Sequence, residues 1–240
     1  MFRIIVFVVA VFVYGYADIK DQTIKTLESQ SGRKLQVISV EQLKNAKLSL
    51  FVVQDKVSGY RTTLLADDDQ KSIIVVATFF GTDKDDRQKV AKTLREVESY
   101  NFKLENSASL NALFKAIPNE YKITLQGKGN ALTYIISDPM CPHCQDELNH
   151  IDSRLEKGSV VMIPVAFLGA DSLKKSAEIT EKIKSVQNNA EKISLLKQIY
   201  ATTHQASEQS SQSTQQVQNV TKIIENSHLV TSVPFVYEAN

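Results

Sequence analysis

The two cysteines of this 240-residue chain stand three apart, in the run Asp138-Pro139-Met140-Cys141-Pro142-His143-Cys144. Thiols at that spacing can serve a disulfide, a metal or a redox cycle. A structural bridge is disfavoured, because closing so short a loop restricts little chain entropy. A zinc site needs four ligands, and beyond the cysteines the histidines on offer are His143, His150, His204 and His228, with no second C-x-x-C. Thiol–disulfide chemistry is the favoured reading, and it requires neither metal nor cofactor.

The flanking elements decide how such a pair would behave. Ala131 to Ile136 is short and rich in β-branched and aromatic residues, as a buried strand is. Ser137, Asp138 and Pro139 interrupt it. From Cys144 onward, Leu148, Ile151 and Leu155 fall on one helical face. Cys141 is therefore expected at a helix start, with Pro142 in the first turn, where its missing N–H is harmless. Unpaired N–H groups and the helix dipole favour an anion there, and the available anion is the Cys141 thiolate. A free cysteine titrates near ~8.5, and cysteines in this setting, beside a His such as His143, fall to roughly 3.5–7.5. A stabilised thiolate makes the disulfide a stronger oxidant. Cys144, one turn further on, is expected to be the more buried, resolving thiol.

The N-terminus reads as a delivery segment. In residues 1–17, Arg3 precedes an apolar run from Ile4 to Val13, and Gly15-Tyr16-Ala17 supplies the small residues of a signal peptidase site. An uncleaved anchor is the alternative, although the run is short for a span. Removing these residues takes one Arg and no acid, leaving 27 basic and 27 acidic side chains. That neutral balance argues against nucleic acid or an anionic membrane surface as partner. Export places the cysteines in an oxidising compartment, and 223 remaining residues suggest two domains.

Asp18 to Gln30 is helical in character, with Ile24 and Leu27 on one face. Strand-like runs follow at Lys34 to Val40, Leu48 to Val53, Tyr60 to Ala66 and Ser72 to Phe80, the turns between them including Asn45-Ala46-Lys47 and Asp67-Asp68-Asp69-Gln70. So small a helix-plus-meander unit buries little core, and a second copy would help stabilise it. Ser72 to Phe80, apolar on both faces, suits either an interface or a central strand. Asp85 to Tyr100 carries Val90, Leu94 and Val97 at helical spacing.

Further on, Ser107 to Pro118 predicts a helix, Tyr121 to Leu125 an edge strand, and Val160 to Phe167 a buried strand with Pro164 marking a bulge or weak point. Asp171 to Val186 and Ala190 to Tyr200 read as helices. His204 to Asn219, rich in Ser, Gln and Thr, reads as a loop or frayed helix before a helical Val220 to Ser227. His204 and His228 read as surface residues.

The strand, the Asp-Pro-x-Cys-Pro-x-Cys turn and the helix resemble the thioredoxin-fold thiol:disulfide exchange proteins of the bacterial periplasm, closest to the DsbC/DsbG type. The Pro142-His143 dipeptide resembles the one in DsbA. Thr231-Ser232-Val233-Pro234-Phe235 is similar to the superfamily's cis-proline loop, which implies that Val233 and Pro234 line a substrate groove. The resemblance implies an α+β and α/β architecture: an N-terminal dimerisation-type domain at 18–84, a linker helix at 85–106, and a thioredoxin-like catalytic domain at 107–240 with a helical insertion. The chain departs from the pattern after Pro234, where six residues stand in place of a further strand and closing helix. Phe235 to Tyr237 is therefore expected as a sheet edge with one face poorly covered.

By this resemblance the activity is disulfide introduction or exchange in secreted proteins. Pro142-His143 points toward an oxidase and the domain plan toward an isomerase. The partners implied are cysteine-containing or unfolded secreted chains, a membrane redox partner and a second copy of the chain. A reductase and a chaperone-like dimer with little redox turnover are the other readings.

Overall fold

The computed structural model describes residues 23–44, 46–67 and 71–239. The expected signal segment 1–17, the first residues of the expected opening helix, Asn45, and Asp68 to Gln70 lie outside them. The chain divides between Glu105 and Asn106 into two compact units.

The first unit is a four-stranded antiparallel meander, β1 (Leu35–Gln42), β2 (Leu48–Asp55), β3 (Arg61–Asp67) and β4 (Ile73–Val75), in that order across the sheet. It follows helix α1 at 23–31. Alternation along the strands sends side chains to opposite faces. Phe51, Val53, Leu64 and Ala66 meet Ile24 and Leu27 of α1. Leu50 and Leu65 meet Val90 and Leu94 of α2 (Lys84–Glu105). The helix expected as a linker is thus packed on this sheet. Asn101 also clamps it to β3, its amide accepting from Arg61 N and donating to Arg61 O, each at 2.9 Å.

The Ser72 to Phe80 run departs from expectation. Only Ile73–Val75 forms strand, paired to the end of β3. Ile74, Val75 and Phe80 are 59%, 68% and 90% exposed, so the run is not a central strand of the protomer.

The second unit is built on a mixed sheet ordered β5-β7-β6-β8, from β5 (Ile123–Leu125), β6 (Ala131–Ser137), β7 (Gly158–Pro164) and β8 (Phe235–Ala239). β6 and β7 run parallel, while β5 and β8 are antiparallel edges. The parallel crossover carries α4 (Pro142–Asn149) and α5 (Ile151–Leu155). Gly158 opens β7 against Ala131, where a Cβ would lie 1.9 Å from the Ala131 carbonyl oxygen, so only glycine permits this register. Both faces of the central strands are buried, which accounts for their unbroken apolar runs. Ile136, Val161 and Ile163 face α3 (Ser107–Ala116), α6 (Ala170–Lys182) and α8 (Ser211–Ser227). Ile135, Val160 and Met162 face α4, α5 and α7 (Asn189–Tyr200).

Three expectations are corrected here. The strand through Val160 stops at Pro164, whose carbonyl accepts from Tyr121 Oη at 2.5 Å. The Ser/Gln/Thr-rich stretch is mostly the ordered helix α8: Ser213, Val217, Val220, Thr221 and Ile224 recur at helical spacing and are buried, and Ser210 caps the first turn through Ser213 N. The last strand is covered on both sides, Tyr237 stacking on Phe114 with ring centroids 5.7 Å apart and Val236 meeting the opposite cluster.

Candidate active site

The turn between β6 and α4 brings the two cysteines to the end of the sheet. Cys141 is the N-cap of α4 and Pro142 follows at its first position, as the sequence predicts. The Cys141 carbonyl accepts from Cys144 N at 3.0 Å and Gln145 N at 3.2 Å, starting the helix. Leu148 and Ile151, fully buried with Leu155 packed beside them, seat α4 and α5 on the sheet. Pro142 and His143 are exposed in the first turn.

Both cysteines are free thiols in this structure. Cys141 borders a cavity of about 590 Å³ whose walls include Phe167, Leu168, His228 and Val233. Its Sγ donates to the Val233 carbonyl at 3.5 Å, and the Val233–Pro234 peptide bond is cis. The structure thus brings together Cys141, Cys144 and the Val233-Pro234 loop, 92 positions away in sequence. His228 caps α8 in the left-handed conformation and belongs to the cavity wall rather than to a remote surface. His204 is also not a free surface residue: its Nε2 lies 2.9 Å from Oε2 of the buried Glu178.

Cys144 has different surroundings. It is 0% exposed, and burial pushes its thiol up to about 12, against the opposing effect of hydrogen bonds from the Ser137 hydroxyl and the Asp138 N–H. The latter lies 3.3 Å from Sγ.

Sequence reasoning treated Ser137 and Asp138 only as strand breakers. Asp138 is fully buried, and its carboxylate is the hub of the turn. Oδ1 accepts from Met140 N at 2.8 Å and Ser172 Oγ at 2.7 Å, and Oδ2 accepts from Leu168 N at 3.0 Å. A buried carboxylate is tolerated when its lone pairs are filled in this way. Tyr200, at the end of α7, is fully buried and donates to Ser137 Oγ at 2.9 Å. An acid three residues before the first cysteine was the available signal for Asp138, while nothing local marks Tyr200. Among the described residues, no group of three or more His, Cys, Asp or Glu side chains is placed to hold a metal ion.

Residues 23–110 match the family described as disulfide isomerase DsbG N-terminal. No curated protein matches the chain. Among solved structures, Helicobacter pylori DsbG is similar at 34% identity and a TM-score of 0.55, with 91% of this chain and 99% of that one covered. The catalytic domain of Proteus mirabilis ScsC matches at 16% identity and a TM-score of 0.45, over 55% of this chain and 85% of that one. Wolbachia pipientis alpha-DsbA2, a thiol-disulfide exchange protein, matches at 15% identity and a TM-score of 0.39, over 59% and 86%. The likeness to Helicobacter pylori DsbG runs through both units, and the C-x-x-C pair lies at the helix start that a thioredoxin fold provides for it. The chain therefore belongs to the DsbG family of thioredoxin-fold thiol–disulfide exchange proteins.

Proposed function

We propose that the chain is an exported oxidoreductase that introduces or exchanges disulfides in secreted proteins through Cys141 and Cys144. The observation that carries this reading is the asymmetry of the pair. Cys141, 7% exposed, borders a cavity walled by Phe167, Leu168, Val230, the polar Glu225 and His228, and the loop that leads to the cis-proline, whereas Cys144 is sealed. In the oxidised form, a substrate thiolate attacks Cys141 Sγ, the Cys141–Cys144 bond breaks, and its electron pair stays on Cys144. A second substrate thiolate then attacks the substrate sulfur of the mixed disulfide, leaving the substrate oxidised and both cysteines reduced. Val233 and Pro234 line the groove in which the substrate chain lies, and Pro142 and His143 tune Cys141 from the exposed turn. A membrane redox partner restores the working state. Starting from the reduced form, the same pair performs isomerisation, with Cys144 releasing stalled complexes.

Dimerisation through the first unit completes the reading. The exposed Ile74, Val75 and Phe80 flank a sheet edge that a second copy of the chain would cover, in keeping with an N-terminal unit of the DsbG type. That same apolar run favours a second reading, a chaperone-like dimer holding unfolded chains.

The test is cysteine trapping on the mature protein. Cys144→Ser should accumulate mixed disulfides with unfolded secreted substrates that carry non-native disulfides, the Cys141 thiolate breaking a substrate S–S bond and the second substrate sulfur leaving as a thiolate, and Cys141→Ser should form none and lose thiol turnover. Mixed disulfides that persist in Cys141→Ser would sink the assignment of roles. If Cys141→Ser suppresses aggregation as well as the parent does and the parent has no thiol turnover, the chaperone reading replaces the redox one.

A further inference from the structure

The Cys144 sulfur is closed off from solvent, yet polar groups are aimed at it. The Asp138 N–H donates to it at 3.3 Å, and the Ser137 hydroxyl, one residue earlier at the buried end of β6, favours its thiolate against the effect of burial. Ser137 Oγ accepts in turn from the Tyr200 hydroxyl of α7 at 2.9 Å. A hydroxyl that accepts from Tyr200 keeps its own hydrogen for another acceptor, and the neighbouring acceptor is the Cys144 sulfur. Ser137 and Tyr200 are both buried, so this pair of hydroxyls has been taken out of water and placed behind a reacting atom.

We infer that Ser137 is a catalytic hydrogen-bond donor, positioned by Tyr200, which together with the Asp138 N–H forms a pocket for the thiolate that Cys144 becomes whenever the disulfide opens or closes. The inference rests on the exchange reading above and adds the group that meets the leaving charge. When a thiolate bonds to Cys141 Sγ, the electron pair of the broken S–S bond stays on Cys144, and no proton moves in that step. Donors already aimed at a developing charge need no reorganisation, which is how preorganised sites lower barriers. A leaving thiolate stabilised in this way departs faster. Closure is the reverse: Cys144 passes its proton to water, the same donors hold the thiolate, it attacks Cys141 Sγ in the mixed disulfide, and the partner's sulfur leaves as a thiolate that takes up a proton from water.

Among the described residues, the ionisable groups that interact with Cys144 through charge are Cys141 and Tyr200, while Asp138 meets it through its backbone N–H. Burial holds its thiol up to about 12, so at neutral pH the reduced protein carries Cys144 protonated. The thiolate is then a transient species, and a donor that serves only the thiolate changes rates without changing the equilibrium.

That separation gives the test. At pH 7, the rate constants for opening of the disulfide by glutathione and for closure of the resulting mixed disulfide are measured together with the redox equilibrium constant. The proteins are the parent, Ser137→Ala, Ser137→Thr and Tyr200→Phe. Ser137→Ala should slow opening and closure by the same factor, roughly 10- to 100-fold for one hydrogen bond to a charged sulfur, with the equilibrium constant unchanged. Ser137→Thr keeps the hydroxyl and should recover most of the rate. Tyr200→Phe, which leaves Ser137 in place, should slow both steps by a smaller common factor, and it carries the test alone should Ser137→Ala not fold. Parent rates in Ser137→Ala would overturn the inference, as would an equilibrium constant that moves with the opening rate, the mark of a distorted site. A parent protein that exchanges no thiols with glutathione would overturn the exchange reading itself, whereas an active parent with silent variants overturns this inference alone.

Discussion

Around Cys141 the chain supplies space: a cavity of about 590 Å³, the exposed Leu168 at its wall, and the Val233 carbonyl 3.5 Å from Sγ. Around Cys144, one helical turn on, it supplies none, and the sulfur is met by the Asp138 N–H and the Ser137 hydroxyl instead. One sulfur thus borders open space and the other lies enclosed beside a hydrogen-bond donor of the backbone. A single residue joins the two sides. Asp138 gives its N–H to Cys144, while its carboxylate holds Met140 N and Leu168 N on the open side and Ser172 Oγ of α6.

Removing that joint should break the contrast most severely. Asp138→Ala leaves three donors without their acceptor, and loss of a buried charged hydrogen-bonding partner costs about 3 kcal/mol or more. Urea unfolding should show that loss, and alkylation of Cys144 in the folded protein should quicken as the closed side opens. Asp138→Asn, which keeps the shape and one acceptor oxygen, should lose less. Unchanged stability in Asp138→Ala would mean that the two sides are held independently.

The closed side can be read from pH. In a Cys141→Ser background, Cys144 is the only thiol. Its folded value is raised, so its contribution to stability is fully present below the unfolded value near ~8.5 and is lost as pH rises toward about 12. Compared with the Cys141→Ser, Cys144→Ser double variant, which cancels every other alkaline titration, the single variant should lose on the order of 2 kcal/mol between pH 8.5 and 10. A constant difference between the two across that range would place Cys144 in contact with water.

How much of this was legible in the sequence follows from how local each feature is. The strand, the turn and the helix start around Cys141 depend on neighbours in the chain, and all three stand where the periodicity and Pro142 put them. Ser137 and Asp138 gave a local signal as strand breakers, but their use depends on Leu168, Ser172 and Tyr200, which are 30 to 63 residues away. Composition misled at α8, where the polar residues face solvent and a stripe from Ser213 to Ile224 was enough to bury one side. At Ser72 to Phe80 apolarity suggested a long strand, but the ladder with β3 covers only Ile73 to Val75; Val76 adds one hydrogen bond from its N–H to the Thr63 carbonyl and turns its side chain into the core, and Phe80 beyond it is exposed. The closing strand depends on a ring 123 positions away, Phe114 beneath Tyr237, which no local pattern reveals.

The smallest expected effect sharpens the open side. Leu168 is more than half exposed beside the cavity at Cys141, and its side chain is free to be covered by a bound peptide, while its backbone N–H stays on Asp138. Leu168→Ala should therefore leave the fold and the sulfur chemistry intact and remove only the apolar area that a substrate chain buries. At about 25 cal/mol per Å² for a partly covered side chain, the loss is about 1 kcal/mol, or about fivefold in kcat/KM for a cysteine-containing peptide, carried by KM. Reaction with glutathione, too small to reach along the wall, should keep the parent rate. Equal losses with peptide and glutathione would show that Leu168 supports the cysteines instead of the substrate, and the division between the two sulfurs would then be one of burial alone.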